Sequence, residues 1–378
     1  MYSIKKIKIR NSFVLFTILF PLFIIIGKVI RFYYMNALDF HPTSNVLMGL
    51  MNGSYLADNY DQTMNNVAKL YKFLNVFKFD SFLQLEIYIS IVFNIIYYCF
   101  LFVEKRKLDN LDFFQFFALA LISVFLNSYV FVFGKEALVF LWFLVLFFTS
   151  IHKIKHDFIN VLLILIETVL MILFVRTYYT IFLLFFVALL CYFRIFKTVQ
   201  KKWLFCIGIV ITILITYVVI VLVLSNFYND YYTKMINVST QEYEQAESMI
   251  RPFTFGTSIF DLTLNFITKF IRILFPFELI FSGIKYVPYI VLQLILSMML
   301  IIKICGYKKL LYSEELIILL IISFVLTSSC FEPDYGSWLR HELSITPLFI
   351  VFMNFNVNVE FYMKNDDKIK SFYMLYGE

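Results

Sequence analysis

Long apolar runs alternate with short polar breaks along almost the whole chain. A helix needs roughly 20 apolar residues to cross a bilayer, fewer where polar anchors hold its ends, and by that rule the pattern predicts about ten spans. They fall near 12–31, 82–103, 113–133, 137–151, 158–175, 178–193, 203–224, 288–304, 315–331 and 342–357. The third and fourth are divided only by Gly134–Lys135–Glu136, and the fifth and sixth only by Arg176–Thr177, so both turns must be tight. The expected fold is all-α, a single integral membrane domain over residues 1–378.

Two stretches interrupt the alternation. The first, 32–81, contains HPTSN and NGS turn signals and then a mixed segment, 63–79, in which Val67, Leu70, Tyr71, Leu74 and Phe77 recur at helical spacing. A surface helix packed over the spans is expected there. The second, 225–287, opens polar and aromatic and ends in 256–275. In that segment Asp261, Asn265, Thr268, Lys269 and Arg272 fall within one narrow polar stripe at about 100° per residue. The stripe predicts an amphipathic helix at the membrane interface with one wet face. Lys269 and Arg272, with Arg251 just upstream, are candidate ligands for an anion in a cavity; an ordinary interfacial helix is the plainer alternative.

Composition removes the soluble classes. The chain is 61% hydrophobic and 15% charged, with a mean hydropathy of +0.82, more apolar surface than a soluble domain of 378 residues can hide. The basic start (Lys5, Lys6, Lys8, Arg10) precedes an apolar run with no small-residue cleavage site, so an uncleaved first span is expected. About 18 of the 32 basic residues fall in short segments that then lie on one side, which puts both termini in the cytoplasm and the two long loops outside. The net charge of +6 is accordingly an orientation signal, with no nucleic acid among the expected partners. His152 and His156 sit four apart but lack a thiolate or a third imidazole nearby, so neither a metal nor another cofactor is expected.

The candidate chemistry gathers at the outer ends of spans. Lys135 and Glu136 stand in one turn. Arg176, followed by Thr177 and Tyr178, is a single cation in an apolar stretch of roughly 35 residues, and facing lipid it costs several kcal/mol, so it needs a partner or a ligand. The stretch SSCFEPDYGSWLRH, 328–341, holds Glu332, Asp334, Arg340 and His341 between two apolar runs. Guanidinium groups suit oxyanions because they donate paired hydrogen bonds in a fixed fork. Glu86 and Glu167, deeper in their spans, are expected as buried hydrogen-bond partners.

The Gly-Lys-Glu turn, the Arg-Thr-Tyr turn two spans later and the Arg-His before a Pro-containing last span resemble the bacterial oligosaccharide repeat-unit polymerases, which build O-antigen and capsular polysaccharides. Many members carry Pro after the middle Arg, where Thr177 stands here. The resemblance implies a metal-independent membrane glycosyltransferase in the bacterial cytoplasmic membrane, acting on undecaprenyl-pyrophosphate-linked glycans, with a chain-length regulator as a partner. It implies that Arg176 and Arg340 hold pyrophosphate or developing charge, and that Glu332, Asp334 or Glu136 is the base. Lys135, Arg251, Lys269, Arg272, His341 and Tyr178 would contact substrate. A glycan-lipid flippase and a ligase-like glycan transferase are the competing functions.

The orientation is directly measurable. In a chain stripped of its native cysteines, Tyr243→Cys should react with an impermeant thiol reagent on intact cells and Gln200→Cys should not; the opposite pattern inverts the topology.

Overall fold

The computed structural model describes residues 9, 11–34, 42–56, 62–151, 157–196, 202–227, 248–254, 256, 258–306 and 310–350. These form α1 (Ser12–Val29), α2 (Pro42–Asn52), α3 (Gln62–Leu74), α4 (Phe82–Val103), α5 (Lys105–Leu108), α6 (Phe113–Phe125), α7 (Lys135–Ile151) and α8 (Asp157–Phe174). They continue as α9 (Tyr179–Phe196), α10 (Lys202–Phe227), α11 (Ile259–Leu274), α12 (Val287–Cys305), α13 (Tyr312–Phe331), α14 (Tyr335–Ser344) and α15 (Thr346–Ile350). Among the described residues the only extended pairing is an isolated bridge between Met249 and Asp334. Among the described residues eight helical segments are long and apolar enough to cross a membrane, and the protein is a polytopic membrane protein.

Two of the expected ten spans differ in form. α7 has 17 residues, roughly 26 Å at 1.5 Å per residue, just short of a hydrocarbon core about 30 Å thick. The run expected at 342–357 does not begin as one straight helix. α14 stops at Ser344 and α15 starts at Thr346. Pro347 causes the break: it has no N–H to donate, and its ring clashes with the carbonyl four residues back. That carbonyl, Leu343 O, takes the Thr346 hydroxyl at 2.6 Å instead. Residues 351–357 of that run lie outside the described residues, as do His152 and His156.

α13 is the centre of the bundle. It is apolar on every face, 94% of its span window is buried, and it packs against α7, α9, α11 and α12. Three of its hydroxyls are satisfied within the helix, as a dry setting demands: Ser323, Thr327 and Ser329 each donate to the carbonyl four residues back, at 2.7 to 2.8 Å. Pro333 ends it, holding Glu332 extended, and Asp334 starts α14 by accepting from the N–H groups of Gly336 and Ser337.

α1, α4 and α6 share a polar seam. Asn94 and Asn127 exchange amide bonds at 2.7 and 3.1 Å, and Ser128 donates to Gly27 O at 3.0 Å. Small residues permit that approach, since a Cβ on Gly27 would come within 2.5 Å of Val124 O. In the first long loop the expected surface helix is α3, which buries Val67 and Tyr71 but leaves Leu70 exposed. It ends before Phe77 because Asn75 brackets Phe79 with two side-chain bonds of 2.9 Å. The HPTSN and NGS signals, read as turns, instead flank α2: Pro42 opens it and Gly53, at φ 73°, follows its end.

Gly27→Ala should therefore push α1 off α6. Thermal unfolding of the detergent-solubilised protein is expected to show a loss of about 1–3 kcal/mol; an unchanged Tm would mean that the close approach carries no packing energy.

Candidate functional site

The start of α7, the α8–α9 turn and α14 with the residue before Pro333, distant in sequence, meet at one end of the bundle. Arg176, in the α8–α9 turn, is their hub. Its Nη2 donates to Glu136 Oε1 at 2.7 Å, and its Nη1 meets both the Tyr178 hydroxyl and His341 Nε2. His341 turns its other nitrogen, Nδ1, to Glu332 Oε1. A guanidinium only donates, so Nε2 accepts from Arg176 and the ring proton lies on Nδ1, pointing at Glu332. Glu136 Oε1 is 3.8 Å from His341 Nε2. The relay runs Glu332–His341–Arg176–Glu136, with side-chain exposures between 5% and 15%, low enough to strengthen each charge.

Local chemistry puts each residue there. α14 buries Trp338, Leu339 and Leu343 and leaves Arg340 and His341 on its half-open edge. Glu332 is extended because Pro333 follows it. Burial works to raise the Glu332 carboxyl; the His341 ring, a bond from Ser337 and the charge of Arg176 more than offset it, so the group sits below its ordinary value. Arg340 acts electrostatically on Glu136, Asp334 and Tyr129, and its guanidinium has no hydrogen bond or ion pair among the described residues.

Other expected site residues take different places. Asp334 Oδ1 is spent on the N-terminus of α14, with bonds of 2.7 and 2.9 Å, and Ser248 approaches it at 3.4 Å. Lys135 turns away from Arg176 and donates to Thr63 of α3 at 3.1 Å, while Tyr71 of the same helix holds Gly134 O at 2.6 Å. Glu86 pairs with Arg31 at 2.9 Å and Glu167 with Thr149 at 2.7 Å.

The polar stripe on α11 largely serves the chain beside it. Asn265 accepts from the N–H groups of Phe253 and Thr254 and returns a bond to Thr254 O, all at 2.8 to 2.9 Å. Arg272 is latched to Glu278 and to Arg251 O, and Tyr335 donates to the same Glu278. Lys269 lines a pocket with Arg251, Thr268, Cys330 and Pro333 that holds about 30 Å³, room for roughly one water. Burial lowers the Lys269 ammonium to about 8, and the charge of Glu332 works against that fall. An open groove of about 450 Å³ adjoins it, lined by Arg251, Pro252, Phe253, Thr268, Ile271 and Arg272.

Sequence reading does not single out Glu278, the counter-charge of Arg272, because nothing marks one loop carboxylate among several. It also passes over Glu342, whose position beside His341 was a usable signal. Glu342 is buried against Gln293 of α12, and its Oε2, Gln293 Oε1 and the Tyr289 hydroxyl have no hydrogen-bond partner among the described residues.

No protein-family model matches the chain, and no curated protein or solved structure matches it either.

The Glu332–His341 bond has a pH signature. A carboxyl held below its ordinary value adds stability that is present above its unfolded value, near 4.5, and is lost as pH falls through the folded one. The wild-type Tm should fall as pH drops below about 4.5, and Glu332→Gln should flatten that fall while costing about 2–4 kcal/mol at pH 7. Parallel Tm–pH curves for the two proteins would remove Glu332 from the ion relay.

Proposed function

We propose that the protein is a membrane glycosyltransferase that joins undecaprenyl-pyrophosphate-linked oligosaccharide repeat units into a surface polysaccharide, at the outer face of the bacterial cytoplasmic membrane. The observation that carries the reading is the meeting of the three motifs that bear the family resemblance. Glu136 of α7 and His341 of α14 come from parts of the chain far apart and both lie within hydrogen-bond or ion-pair distance of the Arg176 guanidinium. A structural anchor for one turn needs no such three-way contact, nor a second arginine, Arg340, beside it with no side-chain partner among the described residues.

In this reading the donor pyrophosphate draws on Arg340 and on the Arg176 fork, while Glu136 keeps Arg176 in place. An acceptor hydroxyl attacks the anomeric carbon of the growing glycan. The bond from that carbon to the phosphate oxygen breaks, and undecaprenyl pyrophosphate leaves with the electron pair. The hydroxyl proton passes to His341 Nε2, freed as Arg176 turns to phosphate, and Glu332 orients the ring through Nδ1. Of the three carboxylates that sequence left open as the base, Asp334 is occupied as a helix cap and Glu136 by Arg176. Glu332 then acts through the imidazole. An arginine beside a leaving pyrophosphate at low dielectric contributes roughly 10² to 10³ in rate.

The glycan ladder tests this. Cells carrying Arg176→Ala or His341→Ala should export single repeat units and make no ladder, at normal protein level. Arg176→Lys should also be impaired, because lysine keeps the charge and loses the fork. A normal ladder in both alanine variants removes the catalytic assignment; loss of even the single unit at the surface replaces the polymerase with a flippase.

A further inference from the structure

Two π-helical turns lie at the same end of the bundle as Arg176. Ile30–Tyr34 extends α1, Leu126–Val130 extends α6, and the two pack together. π-helical residues are well under about 1% of protein structure and are frequent at functional sites, because the extra residue widens the helix and re-aims its side chains. Arg31, in the first turn, is 0% exposed. Its Nε and Nη2 reach Glu86 at 2.9 and 3.4 Å, and its Nη1 is buried with no hydrogen-bond partner among the described residues. Lys28, one turn earlier, donates to Phe131 O at 2.9 Å, just past the second π turn. Tyr129, half-buried in that second turn, lies within electrostatic reach of both Arg31 and Arg340.

Arg31 and Arg340 thus flank Tyr129, Lys28 lies within electrostatic reach of Arg31 and Glu86, and Glu86 is the one carboxylate that forms an ion pair with any of the three cations among the described residues. Two cations, Lys28 and Arg31, share the one carboxylate Glu86 at low dielectric, and with a buried N–H unsatisfied among the described residues this calls for an anion. The outward face of α1, with Ile18, Leu22, Ile25, Val29 and Tyr33 exposed, supplies an apolar track from this point along the bilayer.

We propose that Lys28, Arg31 and Arg340 form a pyrophosphate subsite for an isoprenoid-linked substrate, entered sideways from the membrane, with the isoprenoid chain lying along α1. The proposal rests on the reading above, in which Arg340 meets the pyrophosphate, and adds the residues that continue the site into the membrane and the path of the lipid. Arg31 Nη1 takes a phosphate oxygen, Lys28 turns from Phe131 O to a second, and the Tyr129 hydroxyl donates to the same group.

The test uses the purified full-length protein in detergent and follows Tm against added undecaprenyl pyrophosphate, inorganic pyrophosphate or phosphatidylglycerol. Undecaprenyl pyrophosphate should raise the wild-type Tm. The double variant Arg31→Met/Glu86→Met removes a buried pair together and so spares the fold; it should bind roughly 10- to 100-fold more weakly. Lys28→Met and Tyr129→Phe, which leave that pair intact, should each weaken binding if the double variant proves unstable. Glu86→Gln should lower the Tm without ligand and enlarge the rise with it, a response that a purely structural pair does not give. Equal affinity in wild type and all of these variants overturns the proposal. So does a rise with phosphatidylglycerol alone, which makes the occupant a bulk phospholipid. A protein that binds the isoprenoid pyrophosphate through these residues yet makes no ladder in cells sinks the polymerase reading and leaves the subsite standing.

Discussion

A guanidinium cannot shed its charge, so Arg176 must be met by acceptors wherever the fold carries it. It lies in the four-residue break, 175–178, between two apolar helices, where lipid can offer none. Glu136, Tyr178 and His341 supply the acceptors, and each belongs to, or is fixed by, a different piece of the bundle. α7 must start one residue before Glu136, and α14 must present His341 from its half-open edge. Because breaking a buried pair costs more than forming it gains, this contact constrains the relative height of α7, α9 and α14 more than any single apolar contact does. The same demand recurs elsewhere in the fold, at Arg31 with Glu86 and Arg272 with Glu278, and at the far end of α13, where Lys303 meets Glu314.

α13 provides the rigid support. Its C-terminus delivers Glu332 and the Pro333 turn, and its wall of apolar side chains receives α9, α11 and α12. α14 is too short to cross the bilayer and is held by the chain around it: Trp338 against Phe324 of α13, Tyr335 on Glu278, and the backbone of 248–250 against Pro333 and Tyr335. A short helix lodged at the end of a bundle, capped by Asp334, can carry polar side chains at membrane depth because its own backbone is satisfied and its exposed edge faces the site.

Much of the site was legible one residue at a time. Arg176, Glu136, Glu332, Arg340 and His341 stood out because charge is rare in apolar surroundings and therefore expensive there. Their pairing was not legible, since pairing depends on which helices are neighbours. Asp334 and Glu332 look alike in sequence, two residues apart, but the N–H groups of α14 claim Asp334 while His341 claims Glu332. The α11 stripe had the right spacing, and the structure gives most of it to holding residues 251–254 and Glu278. Lys28 and Arg31 escaped notice because cations at the end of a first span read as anchors.

The sequence by itself determined the helical class, the approximate limits of most spans and the kind of chemistry available, since hydrocarbon admits only backbones that satisfy their own hydrogen bonds and taxes every charge. The tertiary structure alone decided what each helix faces. α10 and α13 are both apolar on every side, yet the span window of α10 is 17% buried and that of α13 is 94%. An all-apolar helix is equally at ease against lipid and against protein, because lipid tails and leucine side chains differ little as surroundings. Burial was therefore settled elsewhere, by the side chains that are not at ease in lipid: the asparagine pair, the close glycine, and the ion pairs that only one arrangement of helices can satisfy.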